Sequence, residues 1–159
     1  MDRVKRATHH IAAKDTDLGC KPESGARAAF TWAVRVYYED TDLGGVVYHA
    51  NYLRFMERAR TEWLRSLGFE QDVLRDRYRV LFVVVDADVH FRRPARFNDE
   101  LLVSADVRKR TAASLTLQQV VQGPAGEELC TATVRVACID ADTFRPRPLP
   151  DEIQREIGG

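Results

Sequence analysis

Tyr52, Phe55, Met56, Ala59, Trp63 and Leu67 recur at steps of three and four residues, which winds their side chains onto one face of an α-helix. Arg54, Arg58, Glu62 and Arg65 fall on the other faces, and Gly68 stands just past the last apolar position, where a left-handed C-cap belongs. The spacing predicts a helix of about 18 residues, roughly 27 Å long. It is the one long helix the chain encodes, with a shorter helical turn expected in EQDVLRDRY after it. An apolar stripe of that length must be covered, so the rest of the chain has to supply the surface that covers it.

That surface reads as a sheet. Thr31 to Tyr38 (TWAVRVYY) alternates and is rich in β-branched and aromatic residues. Arg79 to Phe91 (RVLFVVVDADVHF) passes from a continuous apolar run to alternation, as in a strand buried on both faces at one end and on one face at the other. Pro94 then breaks the chain. Leu101–Val107, Ser114–Val121 and Leu129–Ile139 are three more strands, the last two joined by the turn QGPAGEE. Their short connections favour an antiparallel meander. The predicted class is therefore α+β, a curved antiparallel sheet of about five strands wrapped around one long helix. One helix cannot cover both faces of such a sheet, so an edge or the other face is expected to bury itself in a homodimer or larger assembly.

A chain of 159 residues has room for one domain with a sizeable core. Residues 1–29 are polar and poor in large apolar side chains, which suggests a flexible leader. The domain is expected over 30–150, and the three prolines of TFRPRPLP direct residues 151–159 out of the sheet as a tail that ends in a short helix. Twenty-four basic residues balance twenty-four acidic ones, so no global field draws nucleic acid or an anionic membrane. No apolar run approaches the roughly 20 residues of a membrane span, and no secretory signal precedes the domain, which predicts a cytoplasmic protein. Cys20, Cys130 and Cys138 lack metal-ligand spacing, and the His9–His10 pair has no further ligands near it, so no metal site is expected. Cys130 and Cys138 read as buried reduced thiols.

The chemistry concentrates where the first strand meets the helix, in YYEDTDLGGVVYHAN. Asp40 and Asp42 are both eligible as base or nucleophile, and a two-residue step in extended backbone would put their carboxylates on one side. Asp42 is also a plain turn former before Gly44–Gly45. His49 marks the helix entry, where unpaired N–H groups of the first turn can face a developing anion whatever the side chain does. Glu57, off the centre of the stripe, reads as a solvated or ion-paired charge, with a second carboxylate at the site as the sharper alternative. Arg92, Arg93 and Arg96 around Pro94 either solubilise a turn or grip phosphates.

VRVYYEDTDLGGVVYHANYLRFMERARTEWLRSLG, with the later FVVVDADVHFRRPARFNDEL and VACID, resembles the Tol-Pal-associated acyl-CoA thioesterases of the hydroxybenzoyl-CoA thioesterase group, hotdog-fold enzymes. The resemblance runs from about Trp32 to Pro150. It implies the hotdog fold, a homodimer or homotetramer, an acyl-CoA substrate and no cofactor. It also implies Asp42 as the acting carboxylate with Asp40 in support, and the backbone N–H at His49 as the group that polarises the thioester carbonyl. Val47 and Tyr48 would line the acyl pocket, and Arg92, Arg93 or Arg96 would hold CoA phosphates. Two other readings stand beside it. Asp40-Thr41-Asp42 after a strand copies the start of a magnesium-dependent phosphatase, which needs a parallel sheet. A module of the same fold could also bind acyl-CoA or acyl-carrier protein without hydrolysis.

Overall fold

The computed structural model describes residues 29–158. The expected leader, with His9, His10 and Cys20, lies outside the described residues apart from Ala29. Helix α1 spans His49–Ser66, 18 residues, the length its apolar spacing predicts. Tyr52, Phe55, Met56 and Ala59 of its stripe are buried. Its end is a Schellman turn: Gly68 takes φ +90°, Gly68 N–H donates to Arg65 O at 2.9 Å and Phe69 N–H to Leu64 O at 3.2 Å. Gly68 is the residue that can adopt this φ without a Cβ clash.

Five strands form one antiparallel sheet: β1 (Phe30–Arg35), β2 (Val80–Phe91), β3 (Glu100–Arg110), β4 (Ser114–Gln122) and β5 (Glu128–Asp140). This is the curved α+β hotdog arrangement, with α1 packed on β1, β3 and β4. The first strand stops at Arg35, earlier than its alternation suggests, because Tyr38–Asp40 close into a 3₁₀ turn. The strand order β1-β3-β4-β5-β2 corrects the simple meander. Only β3-β4-β5 is one, and β2 crosses to the far edge to pair with β5, from Val80 opposite Asp140 to Phe91 opposite Cys130. The wholly antiparallel sheet excludes the phosphatase reading.

As an edge strand, β2 is also less buried than its apolar run suggests, and Val84 and Phe91 stay 52% and 53% exposed. Between β1 and β2 a short helix, α2 (Gln71–Val73), runs on into a wider turn over Leu74–Tyr78. The segment expected as a tail forms helix α3 (Asp151–Gly158), and its Ile153 is fully buried in the core. Among the described residues, no helix is long and apolar enough to cross a membrane, and no group of three or more His, Cys, Asp or Glu could hold a metal.

Candidate active site

Two short backbone pairings hold the loop between β1 and α1. Thr41 bridges Val47, and Val46 bridges Arg96 of the β2–β3 connection. Within this loop Asp42 N–H donates to Val46 O at 3.0 Å, and Gly45 N–H returns to Asp42 O at 2.9 Å. Gly45 turns the chain with φ +71°, the conformation that the glycine pair makes accessible. The Asp42 side chain is exposed, and its Oδ1 accepts Gly44 N–H at 2.8 Å. Its position is thus set by two local bonds while the carboxylate stays open to solvent.

Asp40 is built differently. It is buried, its Oδ2 accepts Tyr37 N–H at 2.8 Å, and its carbonyl accepts both Tyr48 N–H and Asn51 Nδ2 at 2.9 Å. The 3₁₀ turn therefore removes the same-side arrangement that extended backbone would give the two carboxylates. Asp40 ties the loop to the first turn of α1, with buried Asn51 as the second anchor, and sequence reasoning gave Asn51 no role.

At the start of α1, Tyr48 occupies the cap position without a side-chain cap bond. Neither the His49 nor the Ala50 N–H meets an acceptor among the described residues, so both are open to an anion. Tyr48 and His49 rings lie 4.5 Å apart, and the His49 ring meets Phe91 edge-on at 6.1 Å. A cleft of about 240 Å³ lies here, with Val47, His49, Arg92 and Arg93 in its wall together with Tyr52 and Phe91.

The structure thus gathers four of the expected residues into one cleft and leaves three beside it. Asp42 sits on the adjoining loop, Tyr48 is half-exposed, and Arg96 spends its N–H on Asp99 Oδ2 at 2.8 Å. Arg92 lies 3.5 Å from Glu128, whereas Arg93 has no ion pair among the described residues, which leaves it the freer cation. Tyr52 and Phe91 were legible only as core and strand residues. Tyr52 Oη accepts Ala95 N–H at 2.9 Å, and burial pushes its phenol above the usual range. Glu57 lies outside this cleft and accepts Thr61 Oγ1 at 2.7 Å. Cys130 and Cys138 are buried free thiols pushed up to about 11 by burial, so neither offers a thiolate nucleophile.

An exposed carboxylate on the loop that leads into an open helix N-terminus supplies parts that acyl transfer needs, and the thioesterase-like superfamily profile matches residues 36–157. The chain belongs to the thioesterase-like superfamily. Within the superfamily it is 45% identical over 128 residues to the acyl-CoA thioester hydrolase YbgC of Escherichia coli, covering 80% of this chain and 95% of that protein. It is 42% identical over 125 residues to the acyl-CoA thioesterase YbgC of Haemophilus influenzae, covering 79% and 91%. Among solved structures, a probable thioesterase from Bartonella henselae superimposes with a TM-score of 0.74 at 36% identity, covering 77% of this thioesterase-like chain and 100% of that one.

Proposed function

We propose that this protein hydrolyses an acyl-CoA thioester to the free carboxylic acid and CoA, with Asp42 as the acting carboxylate. The observation that carries the reading is an exposed, backbone-anchored Asp42 on the loop that leads into the uncapped N-terminus of α1. The chemistry needs both parts. When the carbonyl carbon becomes tetrahedral its oxygen gains negative charge, and the His49 and Ala50 N–H groups, reinforced by the helix dipole, stabilise that charge more than they stabilise the neutral ester.

Asp42 can act by two routes. It can add to the carbonyl and expel CoA thiolate, leaving a mixed anhydride that water cleaves. It can instead take a proton from the water that adds. Label in the Asp42 carboxylate after single turnover in ¹⁸O-water assigns the anhydride route with water attacking the aspartyl carbon, whereas label in the released acid alone fits the general-base route and attack at the acyl carbon alike, and trapping with hydroxylamine then distinguishes those two. In this reading Val47 and Tyr48 contact the acyl portion near the thioester, and Arg93, with Arg92, holds CoA phosphates. Arg96 is the weakest phosphate candidate, since it does not line the cleft as Arg92 and Arg93 do. The exposed Val84, Val85 and Phe91 of β2, with Leu43 fully exposed on the Asp42 loop, favour an assembly of at least two copies that covers this edge.

The test is release of free CoA thiol across a panel of short, long, branched and aromatic acyl-CoAs. Turnover of some of them is expected without added metal or cofactor. Tight binding of acyl-CoA with no thiol release across the panel would replace the enzyme reading with the binding module. The glycine beside Asp42 gives a finer check. A Cβ added at Gly44 would lie 3.0 Å from Asp42 Oδ1, closer than most real contacts, so Gly44→Ala must push the carboxylate aside. A fall in kcat on the order of tenfold is expected, with little change in melting temperature. Unchanged kcat would show that the position of the carboxylate does not matter.

A further inference from the structure

Asn51 stands in the first turn of α1 and is buried, although its side chain is wholly polar. An asparagine near a helix start commonly accepts hydrogen bonds from the N–H groups of its own turn. This one is engaged elsewhere. Its Nδ2 donates to Asp40 O, 11 residues back, at 2.9 Å, and the same carbonyl accepts Tyr48 N–H at 2.9 Å. The opposite orientation of the amide would set oxygen against oxygen, so the donor end is fixed. The Asn51 backbone N–H is also taken, by Tyr48 O at 2.8 Å. Asn51 therefore ties the loop to the helix and leaves the His49 and Ala50 N–H groups open.

The Asp42 loop is held from two sides. On one, Val46 pairs with Arg96 and Val47 N–H donates to Ala95 O at 2.9 Å, which fastens the loop to the β2–β3 connection. Thr41 pairs with Val47, so Asp42 and the glycines between them are carried by that fastening. On the other side Asp40 O receives both bonds that come from the start of α1. With Val46 and Val47 as the pivot, this carbonyl decides how the loop is set against the helix. Two donors hold a carbonyl oxygen along both of its lone pairs, whereas a single donor leaves it room to swing.

We propose that Asn51 is a positioning residue for the reaction, fixing the Asp42 loop against the first turn of α1. The inference rests on the acyl-CoA reading above and names the side chain that keeps its two parts, carboxylate and helix N-terminus, in register. Asn51 does not line the cleft, so its effect reaches the substrate through the loop. The wall that carries Arg92 and Arg93 has a separate tie to the helix, from Ala95 N–H to Tyr52 Oη at 2.9 Å. That tie survives when Asn51 is changed. Loss of Asn51 therefore belongs in kcat and not in KM.

Three measurements test it, on Asn51→Ala and on Asn51→Ser, a milder change that keeps a shorter hydroxyl and serves where the alanine variant loses its melting transition. With the acyl-CoA that wild type turns over fastest, Asn51→Ala should lower kcat about tenfold or more and leave KM within about twofold, with Asn51→Ser in between. An unchanged kcat, or a loss confined to KM, would overturn the proposal. The same substitutions are then made in Asp42→Ala. With no carboxylate left to hold in place, the further loss should stay within about twofold. An equal loss in both backgrounds would show that Asn51 acts apart from Asp42 and would also overturn it. Amide hydrogen exchange is the third measurement and needs no turnover. Exchange at Asp42, Gly45 and Tyr48 should quicken about tenfold or more in Asn51→Ala, while amides of β4 and β5 keep their rates. Unchanged loop exchange would sink the proposal even if thioesters are hydrolysed. Faster loop exchange in a protein whose wild type hydrolyses no thioester would instead refute the enzymatic reading and leave Asn51 as the residue that holds the loop.

Discussion

Asp42→Ala should lower kcat by about 10²–10⁴-fold, the range a positioned acid–base group contributes, while the protein keeps its melting temperature and oligomer size. The side chain is exposed and its one hydrogen bond is the local one from Gly44 N–H, so the stability change should stay within about 0.5 kcal/mol. Asp42→Asn separates charge from geometry. An amide oxygen can still accept the Gly44 N–H and hold the turn, so a loss as deep as that of the alanine variant assigns the effect to the carboxylate charge. His49→Ala is the contrast. It keeps the unpaired backbone N–H and removes only the ring that lies tilted against Tyr48 and edge-on to Phe91, so a far smaller loss is expected. A loss at His49→Ala equal to that at Asp42→Ala would give the imidazole a chemical role. Wild-type rates in Asp42→Ala would end the proposed mechanism.

Much of the architecture was readable because it is written in local periodicity. The apolar steps from Tyr52 to Leu67 and the glycine at 68 define α1, and four alternating runs define the strands after it. The position of β2 was not readable. A short connection usually joins neighbours, but the β2–β3 connection spans the sheet, and the pairing of Val80–Phe91 with Glu128–Asp140 depends on contacts distant in sequence. The apolar run VLFVVV encodes burial without naming what does the burying, so it reads as a central strand although it lies on an edge. At the site, Asp42 and the entry to α1 were legible from loop composition and from resemblance. The side-by-side placement of Asp40 and Asp42 expected of extended backbone does not occur, because a 3₁₀ turn of three residues, too short to leave a period, turns the Asp40 carboxylate back onto Tyr37 N–H. Tyr52 and Phe91 meet across the cleft from distant points of the chain, and nothing in either segment announces the other.

One residue carried a signal in plain view. In SLTLQQVVQ the alternation Leu115, Leu117, Gln119, Val121 puts an amide on the buried face, and Gln119 is fully buried beneath α1. Such a residue needs partners, and it has three of them, two on α1 and one on β3. Its Oε1 accepts Arg60 Nη1 at 2.8 Å, and its Nε2 donates to Met56 O and Ser104 O, each at 3.1 Å. Burial draws the Arg60 guanidinium below its usual range, with Glu57 opposing the shift, so this cation depends on its acceptor.

Gln119→Leu fits the volume but removes that acceptor and both donated bonds, and a destabilisation of about 3 kcal/mol is expected. For a domain of this size that is a fall in melting temperature of roughly 10 °C. Gln119→Glu should cost less, because a carboxylate pairs with Arg60 even as Met56 O and Ser104 O lose their donor. Adding Arg60→Met to Gln119→Leu removes the stranded charge and should restore most of the loss, as replacing a whole buried polar pair is often neutral. Denaturant unfolding of the four proteins of that cycle measures the coupling. Strictly additive losses would show that Arg60 finds its stabilisation elsewhere, and that Gln119 joins sheet to helix through the two carbonyl bonds alone.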